Sequence, residues 1–138
     1  MSTIFTPNTV IASADVNLNF SDLKTKTDYL TAPDSDWVNF TYTGTWVDYG
    51  GGYNPGSYRK DALGYVHLRG LVKSGTDGTS ITTLPTGYRP EYRHLFVVES
   101  NDLAGRLDVL TDGTVIPQAA TTNPAWVSLD GITFKAYA

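Results

Sequence analysis

The spacing of apolar residues changes once along this chain, and that switch constrains the fold more than any other feature. From Ser13 to Leu30 a stripe of Val16, Phe20, Leu23, Thr27 and Leu30 advances by steps of four and three. The mean step of about 3.5 residues is the a/d rhythm of a left-handed coiled coil. From Trp37 onward the alternation has period two, interrupted by Gly, Pro and Asp-Gly, as in short β-strands. Thr31-Ala32-Pro33-Asp34 separates the two patterns, because Pro33 either ends a helix or restarts the chain as extended. The pattern predicts two units: an arm and helix over residues 1–33, and a β-rich head over residues 34–138.

The first unit opens with an extended arm, residues 1–12, in which Pro7-Asn8 signals a turn. Ser13 suits an N-cap, and Asp15 falls in the first turn, where the helix dipole favours a carboxylate. Asn17, Asn19, Asp22, Lys24, Lys26 and Asp28 keep the rest of the surface polar. A helix this short is marginal alone, so its stripe needs a partner. The partner is either the chain's own β-head or other copies of the same helix. The narrow stripe and the immediate exit at Pro33 favour copies. That makes Val16, Phe20, Leu23, Thr27 and Leu30 the expected oligomerisation residues, although the pattern does not decide between two strands and three.

In the second unit, Trp37–Tyr42 and Trp46–Tyr49 read as strands broken at Gly44. The run Gly50-Gly51-Gly52-Tyr53-Asn54-Pro55-Gly56-Ser57-Tyr58 reads as a loop unfit for a central strand. Gly64–Lys73 reads as one long strand with Val66, Leu68 and Val72 on one face. Ile81–Leu84 is short, and His94–Glu99 is another strand. Two hairpins are expected at the end of the chain: Arg106–Thr111 turning at Asp112-Gly113, and Trp126–Leu129 turning at Asp130-Gly131 into Ile132–Lys135. Asp-Gly between alternating strands is a strong hairpin signal, since both turn positions want positive φ. About eight short strands of this kind suit an antiparallel sandwich or jelly roll.

Composition narrows the function. Charged residues make up 17% of the 138, while Gly (13) and Tyr (9) are frequent. The net charge is −4 with no Lys/Arg cluster, which argues against nucleic acid as a partner. The chain has no Cys, which excludes disulfides, thiol chemistry and Cys-type zinc sites. The opening MSTIFTPNTV lacks the basic start and apolar core of a signal peptide, so synthesis and folding in a cytoplasm are expected. No apolar run approaches the roughly 20 residues that span a bilayer, so membrane insertion is not expected.

Catalytic parts are missing from the pattern. There is no G-x-S-x-G nucleophile elbow. His67 and His94 each sit inside a strand pattern, where a surface or packing role is commoner than a base. No third ligand lies near either one, so neither a metal nor a cofactor is expected. Asp34 and Asp36 fall in a linker. A distant carboxyl pair, such as Asp48 with Glu99 or Asp108, is the one route to glycosidase chemistry that the sequence leaves open. The binding hint lies in the loop region, where Trp46, Tyr49, Tyr53 and Tyr58 interleave with Gly, Asn54 and Arg59. Aromatic faces stack on sugar rings, and Asn and Arg can hydrogen-bond hydroxyls. The alternative is that these rings pack against a neighbouring subunit or close one end of the sandwich.

Two regions carry a family resemblance. The stretch Phe5-Thr6-Pro7-Asn8-Thr9-Val10-Ile11-Ala12-Ser13-Ala14-Asp15-Val16-Asn17-Leu18-Asn19-Phe20 resembles an N-terminal element of tailed-bacteriophage tail and fibre proteins. Gly64-Tyr65-Val66-His67-Leu68-Arg69-Gly70-Leu71-Val72, Leu84-Pro85-Thr86-Gly87-Tyr88-Arg89-Pro90 and Val127-Ser128-Leu129-Asp130-Gly131-Ile132-Thr133-Phe134 are similar to the β-rich heads of phage minor tail and receptor-binding proteins. The resemblance implies a mainly β fold, an antiparallel β-sandwich or jelly-roll head preceded by a short N-terminal helix in a trimeric bundle. It also implies a homotrimer on the virion surface, made in a host bacterial cytoplasm. Residues 1–30 would hold other virion proteins, tail or capsid, and the head would meet host-surface polysaccharide. Unlike long tail fibres, the chain shows no extended shaft and no chaperone or peptidase segment. That departure brings in small trimeric capsid decoration or cement proteins as the alternative, with a glycan-degrading enzyme as the remote one.

Overall fold

The computed structural model of the protein describes residues 36–118 and 125–137. The arm and helix expected over residues 1–33, with their oligomerisation stripe, lie outside the described residues. The described residues form eleven strands. They are β1 (Val38–Asn39), β2 (Val47–Asp48), β3 (Ser57–Lys60), β4 (Tyr65–Arg69), β5 (Leu71–Lys73), β6 (Thr82–Thr83), β7 (His94–Ser100), β8 (Leu103–Val109), β9 (Thr114–Gln118), β10 (Trp126–Ser128) and β11 (Thr133–Lys135). They build a four-stranded sheet in the order β1-β3-β4-β11 and a seven-stranded sheet in the order β2-β5-β10-β7-β8-β9-β6. Every named pairing is antiparallel.

The inner faces of the two sheets share one core. Val66, Leu68 and Phe134 come from the four-stranded sheet, and Val72, Val127, Leu107, Val109 and Val115 from the seven-stranded one. Phe134 spans the gap, its ring 6.0 Å from that of His94 and 6.5 Å from that of Phe96. Alternation explains which residues are inside. Val72 pairs with Val127 on the inner face, while Lys73 pairs with Trp126 and Leu71 with Ser128 on the outer one. Mainly β architecture with antiparallel packed sheets agrees with the fold read from the sequence.

The expected long strand Gly64–Lys73 is instead two strands in two sheets. Gly70 breaks it with φ of 116°. A Cβ at this position would lie 2.5 Å from the Pro55 carbonyl oxygen and 2.6 Å from Gly56 Cα, so only glycine fits the bend. The expected hairpin at Asp130-Gly131 is corrected in the same way. β10 pairs with β5 and β11 with β4, so the turn carries the chain between sheets alongside the Gly70 bend. Hydrogen bonds continue across this corner. Leu129 N donates to Gly70 O at 2.8 Å, Leu68 N to Ile132 O at 2.9 Å, and Gly70 N to Asp130 Oδ1 at 2.9 Å.

Two further strand assignments differ from expectation. Ser57 and Tyr58 do not belong to the loop. They begin β3, a central strand held between β1 and β4. A hairpin that the sequence reading did not assign joins β7 to β8, with seven paired positions from His94–Val109 to Ser100–Leu103. Its turn residues Asn101 and Asp102 both have positive φ, 54° and 64°. The Asp112-Gly113 hairpin forms as expected, joining β8 to β9.

Candidate functional site

The outer face of the seven-stranded sheet carries a cavity of about 420 Å³. Its lining is Tyr49, Tyr53, Asn54, Leu71, Glu99, Asp102, Trp126, Ser128 and Asp130. Period-two alternation puts Leu71, Trp126, Ser128 and Glu99 on this face, and Tyr49 follows directly after β2. The loop from Gly50 to Gly56 then folds back over the sheet. Gly50, Gly51 and Gly52 have φ of 79°, 63° and 91°, a left-handed run that L side chains resist. This curl closes with Tyr53 N donating to Gly50 O at 3.2 Å. It brings Tyr53 edge-on against Tyr49, with ring centroids 5.4 Å apart at 89°.

The loop is tied down on both sides. Tyr49 N donates to Leu71 O at 2.9 Å, and Leu71 N donates to Asn54 O at 3.1 Å. Further on, Gly56 N donates to Asp48 Oδ1 at 2.9 Å, and the Tyr42 hydroxyl donates to the same oxygen. Burial pushes the Tyr42 phenol well above its ordinary value, and its bond to the Asp48 carboxylate adds to that rise. The tyrosines therefore sit on a loop fastened to the sheet at Leu71 and Asp48.

Three carboxyl side chains, Glu99, Asp102 and Asp130, share the lining with the rings. One oxygen of Asp130 is already committed to the Gly70 amide. No lining residue is Lys or Arg. Lys73 approaches the aromatic wall, its Nζ 5.0 Å from the Tyr49 ring centroid. Among the described residues no group of three or more His, Cys, Asp or Glu is placed to hold a metal ion. Beside the cavity, a shallower concavity of about 360 Å³ shares Glu99 and Asp102 and adds Val97, Leu103 and Ala104. Val97 is 84% exposed and Leu103 60%, so this face continues as an apolar surface.

The six residues singled out from the sequence separate into three places. Tyr49, Tyr53 and Asn54 meet at the cavity. Trp46 does not join them: it is 1% exposed in the core, and its Nε1 donates to Thr79 Oγ1 at 3.1 Å. Tyr58 also turns inward, stacked on Phe40 at 6.1 Å and edge-on to Tyr88 at 5.0 Å. Burial and the neighbouring Tyr88 push its phenol above its ordinary value. Arg59 projects from the outer face of the four-stranded sheet, where Arg59 and Arg69 lie over the Trp37 ring at 5.2 and 4.0 Å. Trp46 and Tyr49 stand three apart, and Tyr58 and Arg59 one apart, so period two sends the members of each pair to opposite faces.

Glu99, Asp102, Trp126, Ser128 and Asp130 were not among the expected binding residues. They reach the cavity through the β5–β10 and β10–β7 pairings, between segments far apart in sequence. The Asn101-Asp102 turn was the local signal available. Of the carboxylates weighed for paired chemistry, Asp108 is wholly buried and held by two arginines. Arg106 Nε donates to its Oδ1 at 2.8 Å and Arg93 Nε to its Oδ2 at 2.8 Å. Asp48 is bonded to Gly56 and Tyr42, and only Glu99 lines the cavity.

No family model and no curated protein matches this sequence. Among solved structures, the fold is similar to that of the receptor binding protein (gp15) of Listeria phage PSA, with a TM-score of 0.66 and 20% sequence identity over 95% of this chain and 82% of that one. The chain thus shares the fold of a phage receptor binding protein.

Proposed function

We propose that this protein is a bacteriophage virion-surface adhesin whose β-head binds host-surface glycan in the cavity walled by Tyr49, Tyr53 and Trp126. The observation that carries this reading is the edge-to-face tyrosine pair on a fastened glycine loop above an open cavity. Tyr53 is 60% exposed, so its position serves no core packing. Rings of this kind give apolar area to the faces of sugars, while Asn54, Ser128 and the carboxylates accept or donate hydrogen bonds to hydroxyls. The fold shared with a phage receptor binding protein supports the same reading.

Homotrimerisation through Val16, Phe20, Leu23, Thr27 and Leu30 completes the proposal, with residues 1–30 holding the head to other virion proteins. One open cavity per head gives weak binding, and several heads on one particle turn it into avidity. The test is glycan-array binding of the wild type and of Tyr53→Ala. Binding by the wild type that Tyr53→Ala loses at unchanged thermal stability is the expected result. A wild type that ignores every glycan yet reassociates with stripped capsids would replace adhesion with capsid decoration.

A further inference from the structure

We infer that the cavity selects a saccharide bearing an unacylated amine over its N-acylated or phosphorylated counterpart. The inference rests on the reading of the cavity as a glycan site and adds a charge preference to it. What points to a ligand is the concavity and its exposed tyrosine wall; what gives the ligand a sign is the rest of the lining. Glu99, Asp102 and Asp130 contribute three carboxyl groups, and no lining residue is cationic. Since Asp130 Oδ1 already accepts from Gly70 N, Glu99 and Asp102 are the pair with capacity to spare. The two stand at the β7–β8 turn, on the side of the cavity formed by that hairpin.

The aromatic wall has the same preference. Tyr49 already carries a cation on its face, the Lys73 ammonium 5.0 Å from the ring centroid. Aromatic faces attract ammonium groups, and charge-assisted hydrogen bonds to carboxylates add direction. A single lysine opposes three carboxyl groups, so the net field favours a positive ligand. A phosphate in this space would face carboxylates with no guanidinium or ammonium in the lining to receive it. An N-acyl group would remove the charge that the lining is arranged to meet. Other cations are engaged elsewhere: Arg93 and Arg106 hold Asp108, and on the four-stranded sheet Arg59 and Arg69 cover Trp37 and Lys135 covers Tyr65.

The experiment measures binding of the full chain to three matched oligosaccharides: one with free amines, one N-acetylated and one phosphorylated. The variants are Glu99→Gln with Asp102→Asn, and Lys135→Gln on the far sheet as a control. Asn tolerates the positive φ of 64° at position 102, so the first variant keeps the turn. The wild type should bind the amine form roughly tenfold more tightly than the N-acetylated form, the scale of one charge-assisted contact. The double variant should bring the two within about twofold, and added salt should shrink the wild-type preference as charges are screened. Lys135→Gln should behave as the wild type. Equal binding of amine and N-acetyl forms, or tighter binding of the phosphorylated form, overturns the charge preference while leaving the glycan site in place. Failure to bind any of the three overturns both.

Discussion

At the scale of single residues, Asp108 shows how a charge is kept inside this sheet. Its carboxylate is wholly buried, yet the arginines that hold it are 48% and 46% exposed. Burial alone would raise its pKa, but hydrogen bonds from Arg106 and Arg93, with their charges, hold it below the usual carboxylate range. Asp61 is also lowered: burial would raise it, and hydrogen bonds from His67 and from the Tyr65 and Leu63 amides prevail. For Asp112 the Thr114 amide is the leading cause of the same shift. A carboxyl whose folded value lies below its unfolded value, near 4, adds stability that is complete above about pH 4. That stability is lost as pH falls through the lower folded value. Melting temperature should therefore drop below about pH 4, and Asp108→Asn should melt lower at pH 7 but decline less on acidification. A variant with the same acid slope as the wild type would remove Asp108 from this account. At Gly70 the prediction is steric. Gly70→Ala should cost about 2–4 kcal/mol, from positive φ and collision with Pro55 and Gly56, read by urea unfolding.

At the scale of elements, the glycine loop is what turns a strand end into one wall of the cavity. Substituting Ala at both Gly51 and Gly52 should strain the curl by about 1–2 kcal/mol per residue and release Tyr53 from Tyr49. Neither site has a heavy atom within 4 Å of an added Cβ, so the core should stay intact. Glycan binding should fall several-fold, and the melting temperature should drop by no more than the strain of the curl accounts for. Unchanged binding would mean that the curl does not position the ring. The loop itself was legible in the sequence, because three glycines followed by Tyr, Asn and Pro can do little else. The strand set was legible too where apolar and β-branched runs are bounded by turn signals, as in β7 and β9. The sheet switches were not. Gly70 and Asp130-Gly131 look like a mid-strand glycine and a hairpin turn, and only the pairing of β5 with β10 and of β4 with β11 distinguishes them. Trp46 is instructive in the opposite direction. Its separation from Tyr49 onto the inner face follows from period two, a parity that their nearness in sequence hides.

At the scale of the whole head, the two outer faces differ in chemistry. Arg59, Arg69, His67 and Lys135 gather around Trp37 and Tyr65 on the four-stranded sheet, whereas the cavity on the seven-stranded sheet is lined by tyrosines, Trp126 and carboxylates with no Lys or Arg among them. The two surfaces therefore suit different ligands, and the proposed glycan site lies on the second. Assembly belongs to this scale as well. Phe20→Asp puts a charge into the expected helical seam, so light scattering should report the monomer mass for the variant and a trimer for the wild type. A persistent trimer would move the assembly contact elsewhere. The most direct test of the central claim is amide NMR of the full chain titrated with a glycan that it binds. Shifts should concentrate at Tyr49, Tyr53, Asn54, Glu99 and Trp126. Shifts concentrated instead at Arg59, His67, Arg69 and Thr133 would contradict it.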